Sequence, residues 1–501
     1  MFPRIVAIAI IAALALTNVT CIRYKSEKVF KQEVPLYTET ITEAILATGE
    51  VVEFGPRGGT YSMGRNAITG RTREGKFIEV PLDEVLYVRV KKVDPGLSLV
   101  ATVGGIAAGL GLAYLVILAV KESCPFVYAY DGENYVFDAE PLGGSITWGL
   151  RKADFSRLEH LQPVDDKYHL LVRNEVEEIQ YLDQMKLLVI DHAPGEKIIP
   201  DVFGSMHIVS DDISPLSVRD ETGRNLIPFF EGRDDVAWQT YLPRDDSYKR
   251  EDLRHTLTFE FPRPAGADNV KLIVNAGTAL WGSNMIREML QLRGDKVDEW
   301  YQGVNRGGRE QKELERFIGR EELYVLKVYV KEDGEWVQRG FIPGGGPLIL
   351  EDRVIPLDLS GVTGDTLAIR LNPPMGFWSI DYLGVAFDDQ GVLQPQEVAL
   401  GKAKDHDGKS IHRALREADD QYVEMPEVGD WFKIEFDVPV QQYGTERSIF
   451  LQSTGYYEIQ IDKDQPERTA LIRELLDTPG MIVEYAMDEY LKWRELQVSA
   501  K

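Results

Sequence analysis

The sequence predicts a mainly β protein with minor α. The expected order is a small N-terminal β-barrel-like domain, one apolar membrane-type helix, tandem β-sandwich domains of jelly-roll-like kind, and a helical C-terminal tail. Three observations predict it. Short β-prone apolar runs recur between residues 36 and 94 and again between 126 and 461, punctuated by Gly, Pro and Asp-Gly turns. The uncharged stretch Leu97–Val120 interrupts them. Two helical patterns opened by prolines, Pro466–Leu476 and Pro479–Leu496, follow the last strand.

The chain opens on an export pattern. Arg4 precedes the apolar run Ile5–Leu16, which is too short to span a bilayer, and Cys21 follows. This resembles a bacterial lipoprotein precursor, in which the cysteine behind the apolar run is lipidated and becomes the mature N-terminus. The resemblance implies a signal peptide over 1–20, lipidation at Cys21 and a linker over 21–35. Asn18 and Thr20 depart from the usual Leu and small residue of that motif.

Residues 36–96 form the small β domain. Ile41–Phe54 reads as a hairpin about Thr48-Gly49, and Phe77–Leu82 and Val85–Val90 as further strands. Leu97–Val120 forms the membrane element at 97–120. As a helix its 24 residues reach about 36 Å, enough for a hydrocarbon layer of about 30 Å. Ala101, Gly105, Gly109 and Ala113 recur every four residues, a stripe that lets two helices approach closely and points to a homo-oligomer. The basic residues Arg89, Lys91 and Lys92 precede this element, whereas export places that side outside. The large domain is read as extracytoplasmic.

Beyond it, chain order suggests a first sandwich over 121–265, a second with inserted helices over 266–400, and a β segment with C-terminal helices over 401–501. Tyr128-Ala129-Tyr130-Asp131-Gly132-Glu133-Asn134-Tyr135 is the sharpest hairpin signal. Ile286–Gln302 and Arg309–Ile318 carry helical spacing, with Ser283 or Asn284 as the expected cap of the first. The segment Cys124–Glu140, with Tyr181–His192, Leu280–Met289 and Pro343–Pro347, resembles parts of uncharacterised exported bacterial lipoprotein-like proteins. The likeness spans roughly residues 122–495, implies location and fold, and brings no catalytic residue.

Composition narrows function. Of 501 residues, 81 are Asp or Glu and 56 Lys or Arg, a net charge of −25 that repels nucleic acid. Two cysteines, Cys21 and Cys124, exclude a disulfide framework. No metal or cofactor is assigned. Asp405-His406-Asp407-Gly408 imitates part of a calcium loop but places Gly too early, so it reads as a turn. Gly344-Gly345-Gly346 lacks the Lys and helix of a phosphate loop and reads as a flexible β-loop. Asp138 and Glu140 alternate on one strand face and are the carboxylate pair a glycoside hydrolase would need. Trp148, Trp238, Trp281, Trp300, Trp336 and Trp378, with Tyr456-Tyr457, are read mostly as core and otherwise as a stacking platform for sugar or a partner.

The reading that results is a membrane-anchored cell-envelope protein whose β-sandwich ectodomain binds or scaffolds, leaning away from an enzyme. Its partners are membrane lipid and envelope proteins or glycans. The alternatives are a carbohydrate-active hydrolase at the cell surface and an inner-membrane protein with a cytoplasmic β domain.

Overall fold

Alternation along most strands decides the architecture, while Trp378–Ala386 is buried throughout. The computed structural model describes residues 24–30, 41–46, 51–62, 67–72, 76–93, 125–230, 232–234, 237–239, 253–387 and 391–499. Cys21 and the whole of Leu97–Val120, with its Ala101–Ala113 stripe, lie outside them. Among the described residues no helix is long and apolar enough to cross a membrane. The chain divides into two units, Met1–Ala108 and Gly109–Lys501.

The first unit is one antiparallel sheet of six strands, ordered Tyr24–Phe30, Val85–Val93, Ile41–Leu46, Val51–Ser62, Ala67–Thr72 and Phe77–Pro81. One face gathers Ile41, Ala44, Val52, Phe54, Ile68, Val80, Val85, Val88 and Val90. The expected hairpin is present. Between Phe54 and Gly59 the register jumps, so Pro56, which has no N–H to give a ladder, falls in a bulge that bends the long strand.

Among its described residues the second unit is built from five further sheets and is mainly β. Two of them face each other over one core. The first is ordered Leu400–Asp405, Trp431–Asp437, Lys167–Arg173, Phe126–Tyr130, Tyr135–Ala139; the second Gln396–Val398, Glu178–His192, Glu446–Ile459, Lys152–Arg157. Leu170 and Val172, Phe432, Ile434 and Phe436, and Met185, Leu187 and Val189 each contribute alternate residues to it. Another facing pair is ordered Ser217–Arg219, Leu257–Pro262, Thr366–Leu371, Val325–Glu332, Glu335–Pro343 against Trp238–Gln239, Trp378–Ala386, Asn269–Thr278, Glu351–Asp358. Its core alternates in the same way through Leu257, Phe259, Phe261 and Leu367, Ile369, Leu371. A small sheet of Lys197–Pro200, Met206–Val209 and Val392–Leu393 joins the two bodies. Its Ile198 packs with Leu188 and Phe450 of the first, and Ile199 with Ile273 and Val354 of the second.

Boundaries drawn at 265 and 400 follow chain order, whereas the sheets pair across them. Strands 400–405, 431–437 and 446–459 return to sheets begun by residues 126–192. Glu446–Ile459 lies between Glu178–His192 and Lys152–Arg157, so a central strand of its sheet arrives some 250 residues after its neighbours.

The helices differ from expectation in several places, and the tail helices begin at Thr469 and Met481 and not at Pro466 and Pro479. Ile286–Gln302 is two helices, Leu280–Gln291 and Val297–Asn305. Gly294, with φ 46°, turns the chain between them, and its Cα hydrogen faces the Gln465 carbonyl too closely for any side chain. The first helix begins before Ser283, whose N–H bonds the Ala279 carbonyl at 3.0 Å, so neither Ser283 nor Asn284 caps it. Arg309–Glu321, Thr469–Asp477 and Met481–Ser499 complete the larger helices. Tyr490 of the last packs edge-on against Trp281 at 5.2 Å.

The Gly344–Gly346 run is close-packed rather than flexible. A Cβ on Gly346 would fall 2.2 Å from Glu140 Cδ, and one on Gly143 would fall 2.5 Å from the Gly345 carbonyl carbon. Two loops from different bodies therefore meet backbone to backbone. Gly346→Ala and Gly143→Ala are each expected to lower stability by about 1–3 kcal/mol, read from urea-unfolding midpoints at unchanged m-value.

Candidate functional site

Two groupings of chemistry-bearing side chains occur in the second unit. The first is a tyrosine face. Cross-strand register places Tyr181 directly opposite Tyr456 on one side and opposite Glu424 on the other. Residues in register share a sheet face, so these three form a row across three strands. The Tyr181 and Tyr456 rings stack with centroids 4.5 Å apart and planes 9° from parallel. Tyr422 stands nearly perpendicular to both, 6.1 Å from Tyr181 and 5.4 Å from Tyr456. Its hydroxyl donates to Asp420 at 2.7 Å, and that bond holds the Asp420 carboxyl low.

Trp148 extends the face. Its indole lies beside the same Tyr422–Asp420 pair. The Arg151 guanidinium lies 3.9 Å over its ring and 3.9 Å from Asp420. The turn carrying Trp148 is fixed by two helices: its N–H donates to Asn305 Oδ1 at 3.1 Å, and Gln311 Nε2 donates to the Gly149 carbonyl at 2.9 Å. Asn305 also donates to Glu458 at 3.0 Å. Tyr456 is buried; Tyr181, Tyr422 and Trp148 are half-buried; Asp419, Asp420 and Glu424 are exposed.

A β-bulge at Asp183 adds a carboxylate here. The register slips between Leu182 and Gln184, and the Asp183 side chain accepts the Asp419 N–H at 3.0 Å. Burial pushes the Asp183 and Glu458 carboxyls up. Burial, with the charges of Glu458 and Glu424, pushes the Tyr181 phenol up to about 12, and Tyr456 and Tyr422 also move upward. The phenols therefore stay neutral beside carboxylates, and the surface is aromatic with an acidic rim.

The second grouping is buried where the two bodies meet. Arg353 Nη2 bonds Asp154 Oδ1 at 2.9 Å and Glu351 Oε2 at 2.5 Å. Asp154 also accepts the Leu142 N–H at 3.0 Å and pairs with Lys152 at 3.2 Å. Ser156 donates to Glu351 at 2.6 Å. Lys152, Asp154, Glu351 and Arg353, with Gly344 and Gly345, line a cavity of about 20 Å³, room for about one water. Burial, reinforced by Asp154 and opposed by Arg353, pushes the Glu351 carboxyl up. Burial works against Asp154 too, but Lys152, Arg353 and the Leu142 N–H outweigh it and hold that carboxyl low.

The sequence-named residues fall elsewhere or into structural roles. Asp138 accepts both the His160 N–H and its Nδ1, at 3.0 and 2.8 Å, and the Glu159 N–H at 3.1 Å. Glu140 accepts the Leu348 N–H at 3.0 Å. Both carboxylates are buried and occupied with closing loops. Asp405 accepts the Asp407 and Lys409 N–H groups, a turn as read. Among the described residues no set of three or more His, Cys, Asp or Glu is arranged to hold a metal. Trp238 and Trp378 are core, and Trp281 nearly so. Of the aromatic candidates, Trp148 and Tyr456 come together. Tyr181 and Tyr422 were not singled out; the signal available was their strand register, which needs the fold.

Glu351 gives a pH signature. A carboxyl whose pKa is raised on folding stabilises the fold while protonated, and that contribution is lost as pH rises through the raised value. Asp154, held low, loses its contribution only as pH falls into the acid range. Stability is expected to fall from about pH 5 to about pH 8, and Glu351→Gln is expected to flatten that slope in urea-unfolding midpoints. No protein-family model, curated protein or solved structure matches this chain.

Proposed function

We propose that this chain is a membrane-anchored cell-envelope protein of bacterial type whose β-sandwich body binds or scaffolds a partner. The observation that carries the binding half is the tyrosine face. Tyrosine and tryptophan offer large apolar area with a polar tip at little entropic cost, and such residues dominate recognition surfaces. Here three tyrosines pack together on one sheet, and Asn305 and Gln311 hold the turn that carries Trp148. A rigid surface loses little freedom when a partner docks.

The anchoring half rests on sequence. Leu97–Val120 suits a membrane-embedded helix, with Ala101, Gly105, Gly109 and Ala113 as a self-association stripe. Cys21 suits lipidation, and one acyl chain alone holds a protein only marginally, so two elements complement each other. The acidic charge leaves apolar insertion as the force that holds the chain to lipid. The large domain is assigned outside the cytoplasm, with envelope proteins or glycans as partner classes. The jelly-roll likeness of the two sandwiches belongs to this same reading.

Mass spectrometry of the mature N-terminus is expected to find an acyl adduct on Cys21. The chain is expected to stay with membranes through a carbonate wash. Cys124 should react with an impermeant thiol reagent before the inner membrane is lysed. A free Met1 on a chain released by salt would overturn the anchor.

A further inference from the structure

We propose that the Tyr181–Tyr422–Tyr456 face receives an arginine side chain from a basic segment of a protein partner. This deepens the binding reading above and rests on it. Charge selects the class of ligand. The carboxylates Asp183, Asp420, Glu424 and Glu458 gather round three rings, and among the described residues the cations placed against them are Arg151 on Asp420 and Lys463 near Glu458. Glu424 is exposed and heads the cross-strand row. Burial already raises Asp183 and Glu458, so added positive charge relieves a cost the fold carries. A neutral sugar stacks on the rings without relieving it.

Shape selects within that class. A small hydrated metal ion gains from carboxylates but little from π faces, whereas guanidinium is planar, weakly hydrated and stacks on rings while its N–H groups reach carboxylates. The face holds one example of that geometry: Arg151 lies 3.9 Å over Trp148 with Asp420 beside it. An incoming arginine would repeat the arrangement over the tyrosines, with Glu424 as its carboxylate. The net charge of −25 steers a basic segment toward the surface, and the rings fix where it stops.

The test uses the full chain in detergent micelles and isothermal titration with an Arg-Gly repeat peptide. Its citrulline counterpart, equal in shape and uncharged, and a soluble glucan oligosaccharide are titrated alongside. The Arg peptide is expected to bind, and the citrulline peptide to bind at least about tenfold more weakly. Tyr422→Leu and Glu424→Gln should each weaken the Arg peptide by about tenfold. Glu133→Gln, which removes one charge from an exposed turn elsewhere, should leave it unchanged. Glu424 is exposed, so E424Q decides the matter even where Y422L fails to fold. Equal weakening by E133Q and E424Q, equal binding of the citrulline peptide, or no binding of the Arg peptide would overturn the proposal. Glucan binding that Y422L abolishes, with no peptide bound, would overturn the arginine assignment and leave the face as a binding site.

Discussion

Arg353 is the interaction on which the larger unit depends. It sits on the Glu351–Asp358 strand of one body and reaches Asp154 on the Lys152–Arg157 strand of the other. Both groups are more than nine-tenths buried. Ions so far from water are tolerated only when paired and fully hydrogen-bonded, and here each carboxylate has a second partner: the Leu142 N–H for Asp154 and Ser156 for Glu351. The pairing also sets the spacing of the neighbouring loops. Glycines at 143 and 346 let them touch without side chains between. Replacing one ion alone leaves the other uncompensated, which costs more than the pair contributes. The junction thus fixes geometry more than it adds stability.

The tyrosine face is a product of the same architecture. The Glu446–Ile459 strand supplies Tyr456 outward while its next residue, Tyr457, enters the core of the second body. Tyr457 accepts the Gly144 N–H at 3.3 Å, and its neighbour Ile459 exchanges hydrogen bonds with the Tyr301 hydroxyl. Adjacent tyrosines therefore do opposite work. One anchors the strand between the bodies, and the other lies on the opposite sheet face, stacked on Tyr181. Trp148 is positioned from the second body through Asn305 and Gln311, so the face is assembled only when both bodies are in place.

Local chemistry was legible in the sequence, and long-range pairing was not. The Asp131-Gly132 turn and the helix from Arg309 follow from residue type and periodicity, because their hydrogen bonds close within a few residues. The break at Gly294 was missed because it depends on the Gln465 carbonyl, 171 positions away in chain order. The glycine run at 344–346 looked loose for the same reason, since the groups that confine it, Glu140 and Tyr324, lie on other elements. Trp148 and Tyr456 stood out as aromatics; their meeting with Tyr181 and Tyr422 required cross-strand register. Asp138 and Glu140 suggested a carboxylate pair, yet backbone N–H groups of distant loops use them.

The interleaved order of strands has a consequence for biogenesis. The sheet begun by residues 152–192 lacks its middle member until residues 446–459 have been made. Contacts of such sequence separation are slow to form, because the intervening chain must be ordered or looped before they close. During synthesis the edges of Lys152–Arg157 and Glu178–His192 stand open, the state in which β proteins mispair with one another. This delay makes the nascent larger unit a natural client of holding chaperones until its closing strand emerges.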